Sequence, residues 1–420
     1  MKKKVLFIMD DVNYKGGAHV STFNQINFLL STGKFQISIA SDVIPAENLM
    51  ERFGGRVEFI NLKAHETSKD YMLFGESIKK IIGSSQYFWR QKLRKFKMSV
   101  DSRMLGPINA FRKYCIDEKF LLSLIKGFNV VCVPFENSNY RHVVAKAECK
   151  RKIQWIHIDY IVWRNTNAYT KSCTKDDGEL YKNYEQIVFV ADTARQGFVT
   201  LYPHLRDKCA VCYNIIDTDK ILEKGCEKTP QLTPCKDGVL RIITVSRLYE
   251  YQKGIKRCLN VAGRLKKEGY QFEWLFIGDG EDRDMLYRYA DFLQLNDCVF
   301  WGGHQDNPHP FVRQADVSAL FSYYEGAPYT ILESLILGVP VITIDRPGSR
   351  EQIPSGMAWL VSNDEQSIYE GLVHLLNNRE EIKLVRKNLR DYRYDNISIK
   401  NELDVIFSSE KPYVNVVKNC

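Results

Sequence analysis

Short apolar runs rich in β-branched and aromatic residues alternate with longer helical patterns along the chain, and this alternation restricts the fold more than any other feature. It is typical of parallel sheets covered by helices. The predicted strands of the first half are Val5–Met9, Gln36–Ser41, Val57–Leu62, Val130–Pro134, Ile153–Ile158, Ile187–Ala191 and Cys209–Tyr213. Those of the second half are Leu240–Ser246, Phe272–Ile277, Val299–Trp301, Val317–Phe321, Val339–Ile344 and Met357–Val361.

A polar stretch, 218–238, interrupts the alternation near the middle of the 420 residues and contains Pro230, Pro234 and Gly238. Prolines and glycines of this kind mark a connection between domains. We therefore expect two Rossmann-like α/β domains, 1–217 and 239–394, which face a central cleft. The stretch Ile382–Phe407 has a helical pattern, and a C-terminal helix at about 395–420 is expected to pack back on the first domain.

The bulk composition is that of a globular protein, with 45% hydrophobic and 26% charged residues. The apolar run Val5–Met9 ends at Asp10 and is too short for the hydrophobic region of a secretory signal. The sequence contains no run of about 18 apolar residues that would predict a membrane span. Among the eleven cysteines, only Cys209 and Cys212 are close in sequence, and no second pair completes a zinc site. Reduced thiols are therefore expected. These features predict a cytoplasmic location.

A basic segment, 79–113, contains ten Lys or Arg and one acid, with aromatic and Met residues interleaved. Two interpretations stay open for it: contact with an anionic membrane surface, or a solvated pair of basic helices. Nucleic acid is not expected as a partner. The first interpretation predicts a peripheral position on the inner face of the cell membrane.

The most informative motif runs from Ser322 to Pro340 and contains Glu325 and Glu333. Pro328 is expected in the first helical turn, and Gly338 is expected to end the helix. The backbone N–H groups of Ala327, Tyr329 and Thr330 would then face the cleft together with the positive end of the helix, where a pyrophosphate binds well. Glu325 would lie beside a reacting sugar, and the Glu333 carboxylate would accept both hydroxyls of a ribose. As an alternative, Glu325 is a capping residue and Glu333 a surface acid.

Two cations precede this motif. Arg247 follows the strand Leu240–Ser246, and Lys253 with Gly254 is expected to open the next helix. A guanidinium fork and an ammonium point charge suit a diphosphate leaving group. No paired acids predict a magnesium site nearby, so we expect no metal and no cofactor beyond the donor substrate.

These residues recur in one order that resembles glycosyltransferase family 4, especially the bacterial enzymes of capsule, O-antigen and exopolysaccharide assembly. The stretches that carry the resemblance are Arg247, Lys253-Gly254, Gly278-Asp279-Gly280, Phe300-Trp301-Gly302, Asn307-Pro308, Ala315-Asp316, Glu325…Glu333, Gly16-Gly17-Ala18, Trp155 to Tyr160, Tyr202-Pro203 and Asn214 to Asp217. It covers nearly the whole chain except about 65–125.

The resemblance implies a retaining enzyme with the two-domain GT-B fold. It implies that Arg247 and Lys253 bind the donor phosphates, that Gly16 and Gly17 approach the donor, and that His157 lies beside the anomeric centre. It also assigns Glu333 to the ribose and Glu325 to the transferred sugar. His304 is either a contact of the nucleobase or an ordinary loop histidine.

Two positions depart from the family pattern. His19-Val20 stands where an acid and Arg often follow the glycine-rich loop, and Ala191 stands where Ser is common before Asp192. Asp176-Asp177, which could suggest metal-binding acids, is better interpreted as a turn or helix cap. Gly278-Asp279-Gly280 is interpreted as a helix entry.

The predicted function is metal-independent transfer of a hexosyl-type group, with retention, from a nucleoside diphosphate sugar to a hydroxyl of a glycan or a polyprenyl-linked glycan. The alternatives are a sugar-nucleotide epimerase, a phosphorylase, or a non-catalytic partner subunit of another glycosyltransferase. The sequence does not predict the sugar, the nucleotide, the linkage or the oligomeric state.

Overall fold

The computed structural model describes residues 2–14, 16–63, 118–166, 170–171, 174–228 and 238–415. The basic segment 79–113 lies outside these residues, and so does most of the polar stretch after residue 228. Within the described ranges, no helix is both long and apolar enough to cross a membrane.

Every predicted strand is present, and its ends differ from the prediction by two residues at most. The strands are β1 Lys3–Met9, β2 Phe35–Ser41, β3 Val57–Asn61, β4 Val130–Val133, β5 Arg151–Ile156, β6 Gln186–Phe189, β7 Cys209–Val211, β8 Leu240–Val245, β9 Phe272–Ile277, β10 Val299–Trp301, β11 Val317–Leu320, β12 Val341–Ile344 and β13 Ala358–Val361. Most of them are buried over nearly their whole length, as expected for parallel strands covered on both faces.

The strands form two sheets. The first has seven strands in the order β3-β2-β1-β4-β5-β6-β7, and the second has six in the order β10-β9-β8-β11-β12-β13. β1 pairs in parallel with β2 and β4, and β8 pairs in parallel with β9 and β11. The second order is that of a Rossmann sheet, in which the chain reverses its direction of winding between β8 and β11. Ligands bind to such sheets at the carboxyl ends of the strands on either side of that point.

Helices connect the strands. Those with defined bounds are Gly17–Ser31, Glu47–Phe53, Arg141–Lys146, Tyr160–Arg164, Asp177–Leu180, Asp192–Leu201, Thr218–Gly225, Glu250–Lys253, Ile255–Lys267, Arg283–Phe292, His309–Arg313, Tyr329–Ile336, Pro347–Gln352, Glu365–Asn377, Arg379–Asn388 and Asn396–Ser408. Residues 118–125 are also helical. The first, Gly17–Ser31, is followed by Gly33, whose φ of 70° suits a residue without a Cβ.

The stretch Ile382–Phe407, which has a helical pattern, is helical over most of its length, with a break before Asn396. The helix Arg379–Asn388 ends in a 3-10 turn, and a new helix begins at Asn396. Asp395 causes the restart, because its carboxylate accepts hydrogen bonds from the Ile397 N–H and the Ser398 hydroxyl.

Contacts divide the chain into two compact units. Unit 1 comprises Met1–Trp155, Asp177–Ile187 and Phe407–Pro412, and unit 2 comprises Ile156–Asp176, Val188–Ile406 and Tyr413–Cys420. The domain limits predicted from the sequence, with a linker at 218–238, stay a prediction.

Each unit has an aromatic core of its own. In unit 1 the ring of Phe407 stacks on Phe7 at 5.7 Å and on Trp155 at 6.4 Å between centroids. In unit 2 the indole of Trp274 stacks on Phe276 at 5.4 Å, and its Nε1–H donates to the Thr244 hydroxyl. Burial of these large rings, with the polar N–H satisfied, stabilises the sheets that carry the strand ends.

Asp176-Asp177 was interpreted as a turn or helix cap, and Asp177 lies at the start of a helix in the structure. It begins the helix Asp177–Leu180, is fully buried, and accepts hydrogen bonds from Arg141 Nη1 on both carboxylate oxygens at 2.8 Å. The Asp177 carboxylate, which could have suggested a metal site, thus forms a buried ion pair with the Arg141 guanidinium.

We predict that Asp177→Asn lowers the free energy of unfolding by about 3–5 kcal/mol, because it leaves the Arg141 charge buried and unpaired. The matched control is Glu179→Gln, which removes an ion pair to Lys182 with both side chains about half exposed or more. An exposed pair of this kind contributes less than about 1 kcal/mol. Urea unfolding followed by fluorescence measures both changes, and equal effects would show that the buried pair does not stabilise unit 1.

Candidate active site

A tight turn connects β11 to the helix Tyr329–Ile336 and holds most of the motif residues. Pro328 was expected inside the first turn of this helix, but it is the N-cap residue, with φ −68° and ψ 125°. That ψ is extended, so the helix begins one residue later than predicted. Gly338 follows the helix with a φ of 74°, as expected for its end.

The turn is held by backbone packing at Gly326. A Cβ built on Gly326 would lie 2.1 Å from the carbonyl oxygen of His157, which follows β5. A Cβ on Gly348 would lie 2.1 Å from the carbonyl oxygen of Gly326. Three loops of unit 2 are therefore in direct backbone contact, and Glu325 is fixed next to the His157 segment.

Glu325 forms an ion pair with Lys253. The Nζ and Oε1 atoms are 2.5 Å apart, with the two side chains 16% and 14% exposed. Lys253 was expected to open the next helix, but it ends the one-turn helix Glu250–Lys253. The next helix begins at Ile255, with Gly254 as its N-cap at a φ of 61°. A side chain at Gly254 would also crowd the carbonyl oxygen of Phe321 at 3.1 Å, so glycine allows this close approach.

Arg247 lies two residues beyond the end of β8. Its guanidinium stacks over the Tyr249 ring at 4.8 Å and donates to Gln252 Oε1 at 3.4 Å. The glycine turn after β9 supports this position, because a Cβ on Gly278 would lie 1.9 Å from the carbonyl oxygen of Ser246. Gly278 and Gly280 thus serve close packing and helix entry, as their interpretation required.

Asn214 and Ile215 hold the start of the helix Tyr329–Ile336. Asn214 Nδ2 donates to the Ala327 carbonyl at 3.0 Å, and the Tyr329 hydroxyl donates to the Ile215 carbonyl at 3.0 Å. The carbonyl of Thr330 accepts from the hydroxyl of Ser334. These bonds fix the first turn, whose N–H groups carry the positive end of the helix dipole.

Glu333 lies on the same helix, with its carboxylate 3.6 Å from Nε2 of the buried His309. The Nδ1 atom of His309 contacts Asn307 Oδ1 at 2.9 Å, which orients the ring toward Glu333. His304 is exposed and lies 3.3 Å from Asp306. The structure therefore groups Glu333 with His309 and leaves His304 in a loop.

Gly16 and Gly17 lie in unit 1, whereas the other predicted site residues lie in unit 2. Gly16 is the N-cap of the helix Gly17–Ser31. His19, one of the departures from the family pattern, stacks on Phe135 at 4.2 Å and contacts the Asp11 carbonyl through Nε2. Burial lowers the pKa of His19. Its neutral ring is thus part of the packing of this loop.

The second departure, Ala191, is compensated by Glu351. Ala191 is the N-cap of the helix Asp192–Leu201 and provides no side-chain hydrogen bond. The Glu351 carboxylate accepts instead from the N–H groups of Asp192 at 2.6 Å and Thr193 at 2.9 Å. The Tyr213 hydroxyl donates to the same carboxylate.

Several polar residues near Glu325 escaped the sequence analysis. Ser322, Ser349 and Arg346 line a small pocket together with Glu325. Arg346 follows β12, the strand beside β11, so a cation directly after a buried strand was the signal that could have found it. Burial raises the pKa of the nearby Tyr324 to about 12, so its hydroxyl stays protonated. Within the described ranges, no three His, Cys, Asp or Glu side chains cluster as metal ligands would.

We predict that Gly326→Ala lowers the unfolding midpoint of unit 2, because the new methyl group collides with the His157 carbonyl and costs about 1–3 kcal/mol or more. Gly263→Ala is the control, since a Cβ there meets nothing within 4 Å and the residue lies inside a helix. It should stabilise by roughly 0.5–1 kcal/mol. Differential scanning calorimetry compares the two variants, and an unchanged midpoint in Gly326→Ala would contradict the close packing.

The family match lies in the second half of the chain. Residues 228–393 match the family model described as Glycosyl transferases group 1. This range contains Arg247, Lys253, Glu325 and Glu333, whereas His157, whose carbonyl packs on Gly326, lies before it.

Curated relatives align with between a third and a half of the chain. An uncharacterized glycosyltransferase of Methanocaldococcus jannaschii is 26% identical over 47% of this chain and 49% of its own length. The N-acetylgalactosamine-N,N'-diacetylbacillosaminyl-diphospho-undecaprenol 4-alpha-N-acetylgalactosaminyltransferase of Campylobacter jejuni is 28% identical over 46% of this chain and 52% of its own. The lipopolysaccharide core biosynthesis glycosyltransferase LpsE of Rhizobium meliloti is 33% identical over 33% and 45%. The chain thus spans about half the length of the curated relatives it matches.

Solved structures match over nearly the whole fold. Anabaena Alr3699/HepE in complex with UDP and glucose superimposes with a TM-score of 0.70 at 14% identity, covering 97% of this chain and 100% of that one. TarM of S. aureus gives a TM-score of 0.70 at 13% identity, with 97% and 100% coverage. Residues 228–393 are therefore a glycosyl transferases group 1 domain, and the chain's two parallel α/β sheets have the GT-B fold.

Proposed function

We propose that this protein is a retaining, metal-independent glycosyltransferase of cell-surface polysaccharide synthesis. It would move a hexosyl-type group from a nucleoside diphosphate sugar to a hydroxyl of a glycan or lipid-linked glycan. The observation that carries the proposal is the Lys253–Glu325 ion pair, which lies at the switch point of the second sheet and beside the start of the helix Tyr329–Ile336.

The donor diphosphate fits the positive charge at this point. Lys253 and Arg247 supply an ammonium and a guanidinium, and the helix start adds the backbone N–H groups of Ala327, Tyr329 and Thr330. Pro328 as the N-cap leaves the first turn accessible to an anion without a capping side chain. Charge that develops on the departing nucleotide is then stabilised by groups already in place, which is why we propose that no metal is needed.

Transfer would proceed on one face of the sugar. The bond from the anomeric carbon to the phosphate oxygen breaks while the acceptor oxygen bonds to the same face, and the leaving phosphate oxygen takes the acceptor proton. Glu325 orients the sugar rather than attacking it, because its carboxylate is held by Lys253. His157, whose backbone packs on Gly326, is placed by this contact beside Glu325 and is proposed to contact the sugar.

The remaining predicted residues have supporting roles in this proposal. Glu333, oriented by His309, would accept hydrogen bonds from the ribose hydroxyls. Gly16 and Gly17 would approach the donor, and His304 remains a candidate contact of the nucleobase. The UDP and glucose bound to the Anabaena neighbour support a nucleotide-sugar donor of this general kind.

The acceptor is proposed to be a glycan, free or on a polyprenyl carrier. The name of the Campylobacter relative includes a diphospho-undecaprenol acceptor, which supports a lipid-linked substrate. Such a substrate would be reached at the inner face of the membrane, and the basic segment 79–113 is the proposed contact with anionic lipid.

We predict that the protein co-sediments with phosphatidylglycerol-containing liposomes at low salt and is released at high salt, because the attraction is electrostatic. Liposomes of phosphatidylcholine alone are the control. Binding that does not depend on lipid charge would contradict the role proposed for the basic segment.

Calorimetry with UDP, GDP, ADP and CMP tests the proposed donor, and one of them should bind. Lys253→Ala is expected to weaken that binding by about 10-fold or more and to abolish sugar transfer, because a charge-assisted contact to phosphate is lost. Lys256→Ala is the matched control, since Lys256 is three residues away and lies over the Tyr289 ring.

Near-normal transfer by Lys253→Ala would refute the phosphate assignment. Release of an altered nucleotide sugar without any acceptor would refute the transferase and favour an epimerase. If none of the four nucleotides binds, the chain is not an enzyme of this class.

A further inference from the structure

Two arginines near Glu325 have buried guanidinium atoms without a hydrogen-bond partner among the described residues. They are Arg257, at Nε and Nη2, and Arg346, at Nε. Arg257 is only 2% exposed, stacks over the Tyr323 ring at 4.3 Å, and donates its Nη1–H to the neutral Asn363 side chain. Neither arginine has a carboxylate within ion-pair distance in the described ranges.

The acids around these arginines bind other groups. Glu250 and Glu365, which face Arg257, accept hydrogen bonds from the Lys256 N–H and the Asn260 side chain. Glu325 already binds Lys253 at 2.5 Å, and Asp159 accepts the Val162 N–H at the start of the helix Tyr160–Arg164. Burial lowers the pKa of Arg346, and the nearby charge of Arg257 lowers it further, whereas Glu325 and Asp159 raise it. Two cations held close together away from water are unfavourable unless an anion joins them.

Further polar groups of the kind that bind such an anion line a narrow pocket beside Glu325. Arg346 lines it with Ser322 and Ser349, and the Ser322 hydroxyl, in a residue only 3% exposed, has no hydrogen-bond partner among the described residues. A guanidinium fork with a hydroxyl donor matches the geometry of a carboxylate. The Arg346 Nε–H and the Ser322 hydroxyl at this pocket therefore have no acceptor among the described residues.

The position of this pocket separates it from the proposed diphosphate site. In the second sheet, β11 lies between β8 and β12. Lys253 and Arg247 follow β8, Glu325 follows β11, and Arg346 follows β12. Lys253 and Arg247 therefore follow the strand on one side of Glu325, the residue proposed to orient the transferred sugar, and Arg346 follows the strand on the other side. Arg257 lies in the helix Ile255–Lys267, which also follows β8.

We propose that Arg346 and Ser322, supported by the charge of Arg257, bind a carboxylate on the transferred sugar, and that the donor is a nucleoside diphosphate hexuronic acid. This inference rests on the proposed function, because it requires the sugar to lie at Glu325. The site would distinguish a C6 carboxylate from the C6 hydroxymethyl group of a neutral hexose, since only the carboxylate pairs the two buried charges.

The test compares matched donors on the nucleotide that the calorimetric panel identifies. For uridine, the pairs are UDP-glucuronate with UDP-glucose and UDP-galacturonate with UDP-galactose. In at least one pair, the wild-type protein should bind the nucleotide hexuronate at least about 10-fold more tightly than the matching nucleotide hexose. A preference of this size is expected for a charge-assisted hydrogen bond. Equal binding in both pairs, or preference for the neutral sugars, would overturn the proposal while leaving the transferase intact.

Arg346→Gln should reduce the preference for the hexuronate to less than about 2-fold. Arg350→Gln is the matched control, because Arg350 lies on the same helix with a side chain 65% exposed and pairs with Asp345. Binding of the nucleoside diphosphate without sugar reports whether each variant is folded. A hexuronate preference that persists in Arg346→Gln would place the carboxylate elsewhere and refute this site.

Discussion

Close backbone packing at Gly326 is the constraint on which the candidate site depends. The carbonyl oxygen of His157 occupies the space that a Cβ atom on residue 326 would need. The carbonyl oxygen of Gly326 likewise occupies the space that a Cβ atom on residue 348 would need. Three backbone segments of unit 2, around residues 157, 326 and 348, are thereby brought together without intervening side chains. Glu325, His157 and the loop of Arg346 owe their proximity to this contact, so the glycines determine the site's geometry although they supply no chemistry.

The order of the second sheet then determines where the charges lie. Because β8 and β11 flank the point at which the winding reverses, helices leave in opposite directions and open the carboxyl edge of the sheet. A carboxylate, Glu325, occupies the middle strand end, with Lys253 on one flank and Arg346 on the other. In the proposed complex, the diphosphate lies beside Lys253 and the carboxylate of the sugar lies beside Arg346. The order of the strands thus accounts for both the proposed transfer and the proposed carboxylate specificity.

The sequence predicted the strands well because parallel strands are buried on both faces and appear as uninterrupted apolar runs. It also predicted the turn after β11 from its own spacing. It missed Arg346 and Arg257, which are scattered among ordinary charged residues, because their importance arises from burial and from missing partners. The helical pattern of Ile382–Phe407 did not predict the break before Asn396, where one local capping residue, Asp395, starts a new helix.

The central claim is that the helix start at Tyr329 and the Lys253 ammonium together receive the donor diphosphate. A crystal structure of the full chain with the nucleoside diphosphate that binds would test it most directly. We expect phosphate oxygens within hydrogen-bond distance of Lys253 Nζ and of the backbone N–H groups in the first turn of the helix Tyr329–Ile336. A diphosphate bound away from both, for example at the Gly278–Gly280 turn, would contradict the account.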